Sequence, residues 1–541
     1  MDVRAPAFRI AGLTALVVGV LVLLTTSVAP MRPTSAGGPG QLIGGPYAAL
    51  LAHSVDLGPS HDRSAQLIVE LRDAAAPVAL TRWADSQALS VHWQPGQRWA
   101  VVEGGAQAVA RAFRVDVHDY RERHGTVFYA SRRQPAVPDA VTEDVGAVGR
   151  ILGYTPFRDN QPRQLPLDVP EFGLTPAALR TTYESDRLVA DGYTGKGQTV
   201  AIFAFGGFRQ SDLDAFSTSN DLPTFTPTVF GEAFDEPSAE TTMDLSVVHA
   251  IAPDARTIVV NARPTVEGDG AYVKIGQLMA DVDQQFPGAI WSFSISWGCD
   301  KLLTATDLAP AQSALVAAAG RGTTAFMANG DLAGLECKSG DDWSSAPEQD
   351  SIGLNSVASL PEMVNVGGTT LSTTATGAWL GEQSWYDVPL SLGTSGGVSE
   401  LFDLPPWQRG VQGAVPSGRA TGRRLTPDVS AVADPFTGVS FILDGQPTIG
   451  GGTSQAAPIW AGLAAVMNDY LVSTGGRPLG DLNPLLYRIA AGARLPAFRD
   501  VTLGGNAVDD ATPGYDLVTG LGTPRAGNLV RDVADVQQEN S

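Results

Sequence analysis

Two stretches of this chain hold side chains able to do nucleophilic and acid–base chemistry. The first is Gly450-Gly451-Gly452-Thr453-Ser454, which runs into an apolar segment. Three glycines let the backbone turn tightly and approach another chain closely. The residues from Ser454 to Tyr470 predict a helix with Pro458 in its opening turn. A serine at a helix N-terminus sits beside N–H groups and the positive end of the helix dipole, which suits an oxyanion. A serine that only caps a helix would look the same, so the assignment turns on finding a base for its proton.

The second stretch supplies candidates for that base. Glu240 and Asp244 lie four apart in a helical segment and share a face. His249 is on the same segment, but at ~100° per residue it falls roughly 180° from Glu240 and ~140° from Asp244. It therefore reads as structural. Val247, Val248, Ile251 and Ala252 make the segment a buried one. Two buried carboxylates share a proton and titrate as a unit, so Glu240 could accept the serine proton while Asp244 holds it in place. The plainer alternative is a pair of acids on a solvated helix face.

These groups need a scaffold. Strand candidates at Thr199–Phe205, Thr257–Asn261, Ile290–Ser296 and Thr323–Ala328 alternate with helical candidates around Thr241–Ile251, Gly270–Phe286 and Ala309–Ala319. That alternation predicts an α/β unit, a parallel sheet covered by helices on both faces, with chemistry at the carboxyl ends of the strands. Before it, residues 37–155 read as an α+β domain, with strands near 66–71, 99–103 and 126–130 and a helix at Ala106–Phe113. A proline-punctuated stretch, 156–173, reads as an exposed linker open to proteolytic nicking, and 174–541 as the larger domain. At 541 residues two domains are expected.

The formal net charge of −21 argues against nucleic acid as a partner. It is unevenly placed, +2 through residue 165 and −23 beyond, and five of the six histidines lie in the first part. Arg4 and Arg9, the apolar run Ile10–Ala29 and the small residues up to Ala36 predict a secretory signal over 1–36, or a membrane anchor if it stays uncleaved. Export makes a disulfide between Cys299 and Cys337 one option, and two free buried thiols the other.

Taken together, Glu240-x-x-x-Asp244, Gly330-Asp331 and Gly-Gly-Thr-Ser454 resemble, in order, the motifs of the sedolisins, the serine-carboxyl peptidases. Ser294-Ile295-Ser296-Trp297-Gly298, Ser395-Gly396-Gly397-Val398-Ser399 and the run Pro427–Pro435 match as well, so that the resemblance spans roughly residues 45–525. It implies a subtilisin-like fold preceded by an activation prodomain that acts as intramolecular inhibitor and chaperone. Ser454 would then be the nucleophile, Glu240 the general base and acid, Asp244 the second acid, and Asp331 part of the oxyanion hole. A carboxyl donates a hydrogen bond only when protonated, and at pH 7 about one unperturbed Asp in a thousand is. The implied enzyme therefore works in acid on protein or peptide substrates, as a secreted monomer made as a zymogen. A subtilisin-like Ser-His-Asp site would need a His-Gly-Thr-His type segment, and the chain has none.

Asp500 and Asp516, among glycine turns, offer oxygen ligands suited to a hard cation. By the resemblance, Asp500, Val501, Thr512, Gly514 and Asp516 would hold one structural Ca²⁺. Three departures stand out: Ala204 replaces a glutamate found in some sedolisins, Leu332 a common serine and Gln455 a common alanine. Two other readings remain, a tripeptidyl-type exopeptidase and an inactive exported binding protein. A histidine-bearing prodomain docked on an acidic peptidase also predicts release when acid protonates those histidines.

Overall fold

The computed structural model describes residues 40–61, 63–122, 125–155, 173–338, 349–387, 392–416 and 419–539. The predicted signal or anchor over 1–36 and nearly all of the predicted linker lie outside these residues.

The N-terminal part is built on a four-stranded antiparallel sheet in the order Ser90–His92, Trp99–Gly105, Ser64–Leu71, Val145–Val148. Helices Val78–Ser86 and Ala106–Phe113 close its core, where Leu67, Val69, Ala100 and Val102 meet Leu80, Val109 and Phe113. Alternate residues Ile68, Trp99 and Val101 point the other way and pack against Tyr272, Val273 and Ala309 of the larger domain. Because strand side chains alternate between faces, one sheet serves both its own core and a docking surface.

The larger domain is organised on an eight-stranded sheet. Its strands Thr324–Ala328, Ile290–Phe293, Thr199–Ala204, Arg256–Asn261 and Thr228–Phe230 run parallel, as do Val364–Thr373 and Val429–Val432. Trp379–Ser384 closes one edge antiparallel. Val200, Ile202 and Ala204 share a core with helices Ala239–Ile251 and Thr453–Ser473. Ala201 and Phe203 face the opposite core, made with helices Ala271–Gln285 and Ala309–Ala319. This double burial explains why the strands read as continuous apolar runs rather than as alternating ones. The fold is α/β with a subtilisin-like sheet behind an α+β domain, as expected.

The two domains are joined by specific bonds. Arg150 N donates to both oxygens of Asp307, at 3.0 and 3.3 Å, and its Nη1 donates to Lys301 O at 2.8 Å. Three of the described histidines bond within their own domain. His118 pairs with Asp56, His92 with Glu103 and His61 with Gln107, all inside the N-terminal domain. The expected release on protonation of the histidines thus gains no direct contact from these three, and bonds across the interface run from the Arg150 amide to the buried Asp307 carboxylate and from its guanidinium to Lys301 O.

Candidate active site

Every residue singled out for chemistry in the larger domain, apart from the cation loop, sits at the carboxyl-end edge of the parallel sheet. Strand Thr199–Ala204 runs into Gly206, and Thr241 Oγ1 donates to Gly206 O at 2.8 Å. A Cβ on Gly206 would come within 2.6 Å of Ser238 Cβ, so only glycine lets the 239–251 helix start there. Strand Ile290–Phe293 ends at Ser294, and Thr324–Ala328 ends just before Gly330 and Asp331. These strand ends form the floor.

Two helices rise from that floor side by side. A Cβ at Gly450 would lie 2.6 Å from Met243 Sδ, and one at Gly462 would lie 3.0 Å from Ile251 Cβ. The chains therefore touch near both helix starts and again further along, so the helices run parallel with their N-termini together. Glu240 is in the first turn of one and Ser454 in the first turn of the other. Asp244 lies one turn further along. All three are buried, at 3%, 0% and 1% exposure, which removes the solvated-face alternative for the carboxylate pair.

Ser454 is held by an exchange with Ser294. Its Oγ donates to Ser294 O at 3.2 Å, and Ser294 Oγ donates to Ser454 O at 2.9 Å. The second bond answers a need created by Pro458. That residue falls in the second turn of the helix, not the opening one, and it has no N–H for the carbonyl four residues back. Asp331 closes the arrangement from below: its Oδ1 accepts from both Thr453 N and Thr453 Oγ1 at 2.7 Å. Its Oδ2 lies where a side chain on Gly452 would be, 2.7 Å from an added Cβ, and Gly452 has φ +82°. Sequence reasoning missed Ser294 and Thr453 as holders of the site, although Pro458 pointed to an orphaned carbonyl.

His249 is away from this cluster. Its Nε2 bonds Pro223 O at 2.7 Å and its ring stacks on Phe225 at 3.9 Å between centroids. Burial pushes its pKa down to about 4. It is a neutral core residue, as expected from its helical angle. Trp297 is fully buried, bonded to Thr265 Oγ1 at 2.9 Å and edge-on to Phe205, which makes it a packing residue here.

A family model described as "Pro-kumamolisin, activation domain" matches residues 71–154. Kumamolisin of Bacillus sp. (strain MN-32) is 30% identical over 451 residues, covering 79% of this chain and 77% of its own. The chain belongs to the sedolisin family. Sedolisin of Pseudomonas sp. (strain 101) is 27% identical over 474 residues, covering 80% and 75% of the two chains. Tripeptidyl-peptidase 1 of Mus musculus is 25% identical over 423 residues, covering 73% and 71%. The solved structure titled Pseudomonas sedolisin (serine-carboxyl proteinase) complexed with two molecules of pseudo-iodotyrostatin superposes with a TM-score of 0.57 at 25% identity. It covers 67% of this chain and 98% of that one. The protein is thus a serine-type peptidase of the sedolisin kind, carrying its activation domain.

Within the sedolisin frame, two of the three departures have local reasons. Gln455 is buried and bridges two strand ends, accepting from Val439 N at 2.8 Å and donating to Val432 O at 2.9 Å. Leu332 is buried, and its N–H is taken by Glu336 at 2.9 Å. Cys299 and Cys337 form a disulfide with Cα atoms 5.0 Å apart, which ties the segment after Ser294 to the loop after Asp331.

The residues expected to hold calcium lie together. Gly514 N donates to Asp500 Oδ2 at 2.8 Å, and Thr512 N to Asp516 Oδ2 at 3.0 Å. Thr519 Oγ1 reaches both Val501 O, at 3.3 Å, and Asp516 Oδ1, at 3.2 Å. Two carboxylates and the carbonyls of Val501, Thr512 and Gly514 make an all-oxygen donor set, and the nearly inaccessible Asp516 bonds only to N–H and hydroxyl donors among the described residues. A buried charge balanced by no cationic side chain fits a hard cation. A cavity of about 650 Å³ between Trp407, Tyr487 and Phe498 opens beside this loop and away from Ser454.

Proposed function

We propose that the protein is the precursor of a secreted, acid-acting endopeptidase that cuts peptide bonds through Ser454, Glu240 and Asp244. Ser454 Oγ attacks the scissile carbonyl while its proton passes to Glu240, and Asp244 holds the shared carboxyl proton in place. Asp331, neutral, donates from Oδ2 to the oxyanion. Glu240 then returns the proton to the leaving amine, and water repeats the sequence to release the acyl group. The observation that carries this reading is the joining of two buried helix N-termini, one with Ser454 and one with Glu240, over an Asp331 already bonded to Thr453.

Acid action is supported by other carboxyls in the fold. Burial pushes Asp300 up to about 7 and also raises Asp307 and Glu382. A carboxyl whose folded pKa exceeds its unfolded value stabilises the fold fully below the unfolded value, and this is lost as pH rises through the folded one. For Asp300 the window runs from about pH 4 to about pH 7. The contribution of Asp300 is thus present in the range where a neutral Asp331 is abundant.

In this reading the domain over 37–155 is the inhibitor, 156–173 the processing segment and 174–541 the peptidase, a monomer exported by residues 1–36. Among the described residues no helix is long and apolar enough to cross a membrane. Asp500, Val501, Thr512, Gly514 and Asp516 would hold one Ca²⁺, which supplies charge balance and cross-links the 500–516 loop. A tripeptidyl exopeptidase is the second reading, favoured by relatives named tripeptidyl-peptidase 1. Incubating the purified precursor from pH 3 to 8, with mass spectrometry of its fragments and of a long peptide substrate, tests both. Conversion and internal cuts confined to acid, and absent in Ser454→Ala, are expected. Products all three residues long would favour the exopeptidase, and processing by Ser454→Ala would sink both readings.

A further inference from the structure

The loop that carries Asp331 is wrapped around a second carboxylate. Glu336 Oε1 accepts from Leu332 N at 2.9 Å and from Ser395 Oγ at 2.6 Å. Ser395 Oγ itself accepts from Gly334 N at 3.0 Å, so its own hydrogen goes to Glu336. On the other side of Asp331, a Cβ at Gly330 would overlap the Glu336 carboxyl. Glu336 therefore touches the residues immediately before and after Asp331, and its Oε1 accepts both bonds. The Cys299–Cys337 disulfide anchors the next residue of the loop.

Asp331 faces opposed demands. Two hydrogen bonds from Thr453 into its Oδ1 favour the ionised form. Donation to an oxyanion needs the neutral form. A negative charge held against the backbone on both sides of Asp331 opposes its ionisation. We infer that Glu336 is a positioning residue for Asp331, and that its charge keeps Asp331 in the proton-donating form further toward neutral pH. This rests on the reading of Asp331 as the oxyanion donor. Among the described residues, charged groups on the segments packed about the Asp331 loop include Glu240 and Asp244, at the same end of the helix pair, and Lys338 further along the loop. They also include Asp434, which follows the Ala433 carbonyl bonded by Gly452, and Asp387, paired with Leu392 beside Gly393. The first turn of the 453–473 helix, Thr453 to Gln455, and the Gly393–Ser395 segment bring no charge.

Glu336→Gln keeps the acceptor oxygen and removes the charge, and Glu336→Asp keeps the charge on a shorter stem. The test is the pH profile of kcat/KM for the mature wild type and both variants on one internally quenched peptide. For Gln, the alkaline limb should move acidward by about one pH unit, a loss of about tenfold on that side and much less in acid. For Asp, the limb should stay near the wild-type position whatever the loss in height. Equal loss at every pH in the Gln variant would overturn the inference, leaving Glu336 as a loop brace, and so would an unmoved limb. If Gln does not mature, an acidward limb in the Asp variant overturns it instead. Asp331→Asn separates the parent reading: an amide donates at any pH, so its alkaline limb should flatten. A wild-type limb in Asp331→Asn would fail the oxyanion assignment itself.

Discussion

His249→Phe should leave the peptidase active and reverse its rank in stability between neutral and acid pH. The imidazole is 1% exposed and stacked on Phe225, and burial lowers its pKa from 6.5 to about 4. For a base so depressed, the folded state is fully favoured above pH 6.5 and loses stability as pH falls, down to about 4. At pH 4.5 the loss works out at about 2.5 kcal/mol, at ~1.4 per pH unit. Phenylalanine keeps the stack and cannot be charged, but it forfeits the bond to Pro223 O, about 1 kcal/mol at any pH. The variant should be less stable by about 1 kcal/mol at pH 7.5 and more stable by about 1.5 kcal/mol at pH 4.5. Urea unfolding of the mature enzyme at the two pH values reads this crossover. Parallel curves would refute the burial argument, and a folded variant without activity would put imidazole back into the chemistry.

Asp300→Asn should stabilise the protein by up to ~4 kcal/mol at pH 8, where the buried carboxyl must ionise, and the gain should shrink toward pH 4 in thermal melts. Chelation by EGTA should lower the melting temperature of wild type, and added Ca²⁺ at a hundredfold over its Kd should restore about 2.7 kcal/mol. Asp516→Asn should abolish that response. Gly462→Val should force the 239–251 and 453–473 helices apart at Ile251, costing activity on peptide substrates out of proportion to its effect on the urea midpoint.

Much of this molecule was legible because its elements are driven by local patterns. The helix at Ala106–Phe113 and the one at Ala309–Ala319 have the predicted bounds, and the parallel strands fall within a few residues of them. The helical angle of His249 was enough to take it out of the site. What escaped was set by partners far along the chain. The Val145–Val148 strand is too short to announce itself and exists because Ser64–Leu71 pairs with it. The exchange between Ser294 and Ser454 joins residues 160 apart. The grip of Glu336 on the Asp331 loop depends on Ser395, which lies on another segment. Composition located the prodomain histidines but not the faces they occupy, and His118, His92 and His61 bond within their own domain.

The central claim is that carboxyl groups, with no imidazole, activate Ser454. It is tested most directly by trapping the acyl-enzyme: rapid acid quench during turnover of an activated ester at pH 4, followed by mass spectrometry of the peptide bearing Ser454. The account predicts an acyl group on Ser454 in wild type and in His249→Phe, and acylation at least about a hundredfold slower in Glu240→Gln. Acylation of Ser454 at the wild-type rate in Glu240→Gln, or an acyl group on another residue, would contradict it.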